Sequence, residues 1–265
     1  MKLSRFLPLL LVAVPAFALD EYQPAEEGLI AVDMQNSVDW GRGSYDENGS
    51  LKSPVGSPLT WSPSVQLRMG LPNLTEISVV VPMAVMSSAA LQASDWDWGF
   101  YESSLGFKLG IEDWGVAVVG GVQFPLGSRN IIGDDLRWHF TVGGIGHWQR
   151  KNFLFDGSAT WTATPANDKG IRRGDLWEFI ARPQYKLDST FTPYVGLVTD
   201  LQLPGKINDK RDGVYSHVAT IQPGTFIQLG DEWVGELQAP VTLLGDYPQS
   251  ASVGVYVGLT LLRGP

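Results

Sequence analysis

The chain has 265 residues, with 19 Lys and Arg against 28 Asp and Glu, a formal net charge of −9 and no cysteine. These values exclude a disulfide framework and thiolate chemistry, and they leave no dominant basic surface for nucleic acid. Thirty glycines, ten tryptophans and eight tyrosines instead fit curved strands edged by rings at a membrane interface.

Residues 1–18 read as an export leader. Lys2 and Arg5 form a basic start, Phe6–Val14 an apolar run and Ala16-Phe17-Ala18 a small-x-small cleavage site. The run is too short for a stable spanning helix. Removing the leader leaves 17 positive and 28 negative charges, formally −11. No later stretch of eighteen apolar residues offers a transmembrane helix, and residues 19–265 read as one domain.

Leu19–Glu27 is an acidic lead-in. Gly28–Asn36 is a first strand of weak alternation, and Ser37–Leu59 a long Gly/Ser/Asp/Pro loop within which Ser44–Leu51 has room for a short ordered excursion. Thr60–Leu71 and Leu74–Val85 follow as a hairpin turning at Pro72-Asn73, with Val65, Leu67, Met69, Ile77, Val79 and Val81 on one face and Gln66, Arg68, Glu76 and Ser78 on the other. The same period-two unit recurs over Trp98–Ile111, Trp114–Phe124, Leu136–Trp148, Phe153–Thr164, Asp175–Leu187, Phe191–Leu203, Val214–Leu229, Glu232–Leu243 and Ser250–Leu262. Alternation fails near Pro223-Gly224, which predicts a bulge or a phase change there.

The count is twelve strands. Connections after the even-numbered strands are short, and those after the odd-numbered ones are longer. That asymmetry predicts an all-β, transmembrane antiparallel barrel with short periplasmic turns and longer external loops. The competing fold is a soluble sandwich or lipocalin-like barrel, with the apolar face inside. Against it stand Trp114, Trp138, Trp148, Trp161, Trp177 and Trp233, all on the apolar face and many near strand ends. Such rings are expected as an interfacial girdle on lipid.

The inward face is then polar. Its charged residues are Arg68, Glu76, Glu102, Lys108, Arg137, Asp156, Glu178, Arg182, Lys186, Asp200 and Glu236, with His139 and His147 beside them. Arg68 and Glu76 are nearly symmetric about the first hairpin turn, so an ion pair is expected between them. Whether such charges filter a solute or close the lumen is open at this point. His139 and His147 stand about 27 Å apart along one strand and cannot share a metal. Ser158 with Asp156 and either histidine is the best available hydrolytic set. Small inward residues, among them Gly106, Gly115, Ala117, Gly121, Gly143, Gly196, Gly254 and Gly258, favour a cavity over a filled barrel. The external loops Ser37–Leu59 and Lys206–Asp212 are candidate lids.

Leu67-Arg68-Met69-Gly70-Leu71 with Glu76 and Pro82, Leu105-Gly106-Phe107-Lys108-Leu109, and Gly121–Gly127 together resemble the outer-membrane proteins labelled as the meta-pathway of phenol degradation family. The resemblance covers most of the chain after the leader, and its motifs are structural. It implies a barrel that moves hydrophobic or aromatic compounds across the outer membrane, and it brings no catalytic residue. Two departures stand out: Pro125-Leu126-Gly127 replaces the longer ending, and the chain finishes Leu261-Leu262-Arg263-Gly264-Pro265 without a terminal aromatic.

The expectation is a passive channel or binding conduit for small solutes, without cofactor or metal. Outer-membrane lipid and the barrel-assembly machinery are its expected partners. A lipid-directed hydrolase and a structural barrel with a closed lumen are the competing functions.

Overall fold

A computed structural model describes residues 25–45, 50–52, 59–87, 96–111, 115–128, 137–166, 171–172, 174–207, 210–212, 214–246 and 250–264. The expected leader lies outside the described residues. The described residues form twelve staves: β1 (Ile30–Tyr45), β2 (Leu59–Leu71), β3 (Thr75–Ser87), β4 (Trp96–Phe100 and Ser104–Ile111), β5 (Val116–Gln123), β6 (His139–Arg150), β7 (Phe153–Ala163), β8 (Leu176–Tyr185), β9 (Phe191–Gln202), β10 (Ser216–Gln228), β11 (Trp233–Gln238 and Val241–Gly245) and β12 (Ser250–Arg263). Each pairs antiparallel with its neighbours in sequence, and β12 returns to β1 over Ile30↔Arg263 to Ser44↔Ser250. The sheet therefore closes and leaves no open edge.

The polarity is inverted relative to a soluble barrel. Val65, Leu67, Val79, Phe107, Val142, Phe155, Phe179, Val195, Leu197 and Val257 are all exposed, while Asp33, Gln66, Arg68, Glu76, Lys108, Arg182 and Gln184 are buried. Alternation alone allowed either assignment, and the soluble alternative fails here because the apolar residues point out. An apolar outer wall and a hydrogen-bonded closed ladder meet the two demands of a bilayer interior.

Two breaks of the ladder adjoin a proline, while a third, between Gly41 and Gly43 on the β1–β12 seam, falls at glycine. Sequence reading runs Trp98–Ile111 as one strand with Tyr101 and Ser103 on the face of Leu105. Instead, Met83 faces Phe100 and Val80 faces Ser104, so three steps on β3 meet four on β4. Pro82 lies at that point and has no N–H for the ladder, though its carbonyl still accepts from Tyr101 N at 3.0 Å. The extra residue switches the phase, so that Trp98 and Phe100 above the break, and Leu105 and Phe107 below it, are all exposed.

In β11 the gap falls at Ala239-Pro240, and the register shifts between Ala219 and Thr220, opposite Leu243. The expected bulge at Pro223-Gly224 is absent on the β9 side, where Phe191↔Ile227 to Gln202↔Ser216 runs unbroken. Alternation fails at Gly224 for a different reason: a Cβ there would strike the Tyr194 ring. A similar accommodation occurs on the outer wall, where Gly120 lies beneath the ring of Phe107, its cross-strand partner.

The first stave is longer than the Gly28–Asn36 expectation, and Ser44 and Tyr45 pair on with Leu51–Lys52. The first hairpin turns through Asn73 and Leu74, both at positive φ, as tight strand connections require. Two long connections, β7–β8 and β9–β10, contribute to a separate small sheet in which Ile171–Arg172 pairs with Gly205–Ile207, and that segment with Lys210–Asp212.

Candidate functional site

Inward side chains near the short-turn end of the barrel build a continuous charged wall. Arg68 on β2 forks onto Asp33 of β1, with Nε 2.7 Å from Oδ2 and Nη2 3.0 Å from Oδ1. Asp33 Oδ1 also accepts from Thr260 Oγ1 on β12 at 2.6 Å. One carboxylate thus joins three staves across the seam that closes the barrel.

Glu76 on β3 extends this wall: its Oε2 lies 3.8 Å from Arg68 Nη1 and its Oε1 3.5 Å from Lys108 Nζ on β4. Register puts Glu76 opposite Gly70, with Arg68 opposite Ser78, so the Arg68–Glu76 contact is diagonal. The main partner of Arg68 is Asp33. All four charged side chains are at most 4% exposed, and charges so buried are tolerable only with their partners in place.

The segment before β1 closes over this wall. Ala25 N donates to Glu76 Oε2 at 2.8 Å, Gly28 N donates to Gly70 O at 3.1 Å and Gly70 N to Leu29 O at 2.9 Å. A Cβ on Gly70 would overlap the carbonyl oxygens of Ala25 and Glu26. Glycine is thus required where the lead-in backbone crosses the inner wall.

The opposite wall, on β6–β11, combines charges with rings. His147 Nδ1 lies 2.6 Å from Asp156 Oδ1, and Gln184 Nε2 donates to the other oxygen of the same carboxylate. Arg182 faces Asp156 across the β7–β8 ladder, and its guanidinium lies 5.0 Å from the Tyr194 ring centre and 5.7 Å from that of Phe226. The Tyr194 hydroxyl donates to Glu236. Above the first wall sits an apolar inward cluster of Val80, Val119 and Ile145, each nearly inaccessible.

Toward the long-loop end, Glu102 in the β4 break accepts from Arg137 N at 2.9 Å and pairs with His139 Nε2 at 3.0 Å. His139 Nδ1 lies 2.9 Å from Thr164 Oγ1. A neutral ring donates from Nε2 and accepts the Thr164 hydroxyl at Nδ1. Hydroxyl–imidazole–carboxylate chains serve nucleophilic catalysis elsewhere, but Thr164 is 4% exposed and shut away from substrate, so the chain acts as a tie between β4, β6 and the end of β7. The other hydrolytic set does not assemble: Ser158 is opposite Ile145 and Ile180, and among the described residues it makes no hydrogen bond to an imidazole.

Glu178 and Asp200 lie directly opposite each other on β8 and β9. Lys186 follows the last residue of β8 and is exposed, two residues before the turn that Asp188 starts. It is no part of the inner wall. Gly115 sits in a turn at φ 60°. Other inward glycines are filled by neighbours: Gly254 by Asp39, Gly258 by Tyr256 and Gly143 by Thr160. At these three positions the glycine makes room for a neighbouring residue rather than for open space.

On the outer wall Trp138, Trp148 and Trp177 are exposed, and Trp161 and Trp233 are half-buried. Trp114 lies outside the described residues. Sequence reading did not single out Trp40, Trp61 and Trp98, which are also exposed. It likewise passed over Asp33 and Phe226 on the inner wall. A carboxylate between Val32 and Met34, in a stretch otherwise reading as strand, was the signal for Asp33.

Closed strands, an apolar belt with aromatic rings and a polar interior define an outer-membrane β-barrel. Solved structures share this architecture. The chain is similar to an outer membrane channel from Pseudomonas putida F1, at 12% identity and a TM-score of 0.79 over 92% of this chain and 98% of that one. It is also similar to the NanC porin, at 9% identity and a TM-score of 0.52 over 87% and 98%. A third is the translocator domain of the autotransporter NalP from Neisseria meningitidis, at 14% identity and 0.51 over 92% and 90%. No protein-family model matches the chain, and no curated protein sequence matches it at a significant level.

Proposed function

We propose that this barrel is a passive outer-membrane conduit for small solutes that carry an apolar or aromatic body. The supporting observation is the composition of the inner wall: the Val80–Val119–Ile145 cluster and the Tyr194 and Phe226 rings interrupt the charged groups. An aqueous pore for ions alone has no use for such a lining, whereas a solute with an apolar body slides past it without losing many hydrogen bonds. The ionic wall of Asp33, Arg68, Glu76 and Lys108 narrows the short-turn end, and the segment at Ala25 lies against it. Selection follows from that pairing: a solute must fit beside charges already satisfied by one another.

In this reading residues 1–18 are the export leader, outer-membrane lipid meets the outer wall, and the barrel-assembly machinery inserts the chain. The resemblance to the phenol meta-pathway proteins rests on its sequence motifs, and it agrees with an aromatic class of solute. Planar-bilayer recording of the purified full chain tests the proposal. Small ohmic steps that diminish when a water-soluble aromatic is added are expected. Steps of large, solute-insensitive conductance, or none together with no aromatic flux, would overturn it.

A further inference from the structure

The short turn between β6 and β7 holds a lysine where the backbone favours another residue. Lys151 sits at φ 55°, a conformation that suits glycine or asparagine and strains a long side chain. Strain kept at such a position points to a use for the side chain. Arg150 precedes it. The next turn brings a third cation alongside, because Lys186 N donates to Asn152 O at 2.7 Å. Arg150, Lys151 and Lys186 are all exposed, and among the described residues none of them makes an ion pair. Asp188, in the turn after Lys186, directs Oδ1 to the N–H groups of Thr190 and Phe191.

The register sets these cations beside a platform of rings. Arg150 lies opposite Phe153, and Phe153 opposite Tyr185, so the three share a face. Trp148, two residues before Arg150, is on that face too and meets Phe153 edge-on, ring centres 5.9 Å apart. Trp148, Phe153 and Tyr185 are exposed on the outer wall. Such rings mark the boundary of the hydrocarbon, and the short turns of such barrels face the periplasm. The cations therefore stand at head-group height in the periplasmic leaflet.

In a chain of net charge −9, three unpaired cations at adjacent turns form a local excess of the opposite sign. The anion available at that height is the phosphate of a phospholipid. We propose that Arg150, Lys151 and Lys186, above the Trp148–Phe153–Tyr185 platform, form a docking site for an anionic phospholipid of the periplasmic leaflet. The guanidinium and ammonium groups donate to phosphate oxygens, while the rings pack on the glycerol and the upper acyl chain. A zwitterionic lipid brings its own ammonium group, which the three cations repel. The site is on the outer wall and does not depend on what passes through the lumen.

The test is native mass spectrometry of the full chain with three probes: phosphatidylglycerol, phosphatidylethanolamine and inorganic phosphate. Expected is at least about tenfold tighter retention of phosphatidylglycerol than of phosphatidylethanolamine, with the preference weakening as salt rises. Arg150→Gln with Lys151→Gln should abolish that preference, and Arg263→Gln, an exposed cation at the end of β12, should leave it intact. If the double variant loses its heat-modifiable folded form, Lys151→Asn alone should still reduce the preference. Because asparagine suits the positive φ, that variant should also unfold at a denaturant concentration no lower than wild type, a split that a purely structural lysine would not show. Equal retention of the two lipids, an unchanged preference in the Lys151 variants, an equal loss in Arg263→Gln, or displacement of phosphatidylglycerol by an equal concentration of inorganic phosphate would overturn the proposal.

Discussion

Replacing Asp33 by Ala removes both oxygens that Arg68 grips at 2.7 and 3.0 Å, together with the acceptor of the 2.6 Å bond from Thr260. Arg68 is 3% exposed, and among the described residues Glu76 is a second carboxylate near it, at 3.8 Å. Breaking a buried pair from one side costs about 3–5 kcal/mol. Glu76 offsets part of that loss, so about 3 kcal/mol is expected for Asp33→Ala. Asp33→Asn keeps two acceptor–donor contacts and should cost about 1–2 kcal/mol. Asp33→Ala with Arg68→Ala should cost clearly less than the sum of the singles, with a coupling of about 2 kcal/mol, because no orphaned charge is left. The assay is reversible denaturant unfolding of the barrel in lipid vesicles, followed by tryptophan emission and by the heat-modifiable gel shift. A wild-type midpoint for Asp33→Ala, or strict additivity of the pair, would refute the claim that this carboxylate holds the seam between β12, β1 and β2.

Gly70→Val would place a side chain where the carbonyl of Glu26 now lies, so it should release the segment at Ala25 and raise single-channel conductance while the folded form persists. On the outer wall, Gly120→Val should push aside the Phe107 ring and cost about 1–3 kcal/mol in the same unfolding assay. In the β8–β9 turn, Asp188 Oδ1 accepts from Thr190 N at 2.7 Å and Phe191 N at 2.8 Å. The Phe191 N–H first, then that of Thr190, hold its carboxyl below the usual carboxylate range. Its contribution to the turn is therefore complete above the unfolded carboxylate value and lost as pH falls through the lower folded value. Protection of the Thr190 and Phe191 amides from exchange, taken relative to the intrinsic rate at each pH, should fall only as pH drops through the acid range, and Asp188→Asn should remove that fall.

The staves were legible because each buries one face in a polar interior and turns the other to lipid, a contrast that period two displays directly, as in Val65–Leu71 and Thr75–Val81. Three features escaped for physical reasons. The phase switch at Tyr101–Ser103 is caused by Pro82 on the neighbouring stave, a long-range effect that no window of β4 contains. The length of β1 was hidden because Gln35, Asn36 and Ser37 are polar on both faces, and Asp33, although inside the expected strand, meets Arg68 only through the β1–β2 register. Gly224 looked like a bulge, yet its role is set by Tyr194, thirty residues earlier. The inward charges could be read residue by residue, but their partners depend on register. A pair placed by symmetry about Pro72-Asn73 was displaced by two positions once the turn was centred on Asn73.

Solute flux through reconstituted barrels tests the central claim most directly. Proteoliposomes holding the full chain should admit a small aromatic solute faster than a sugar of similar mass, and above empty liposomes. Equal entry of the two solutes, or aromatic entry no faster than across the bare bilayer, would contradict a conduit whose inner wall is part ionic and part apolar.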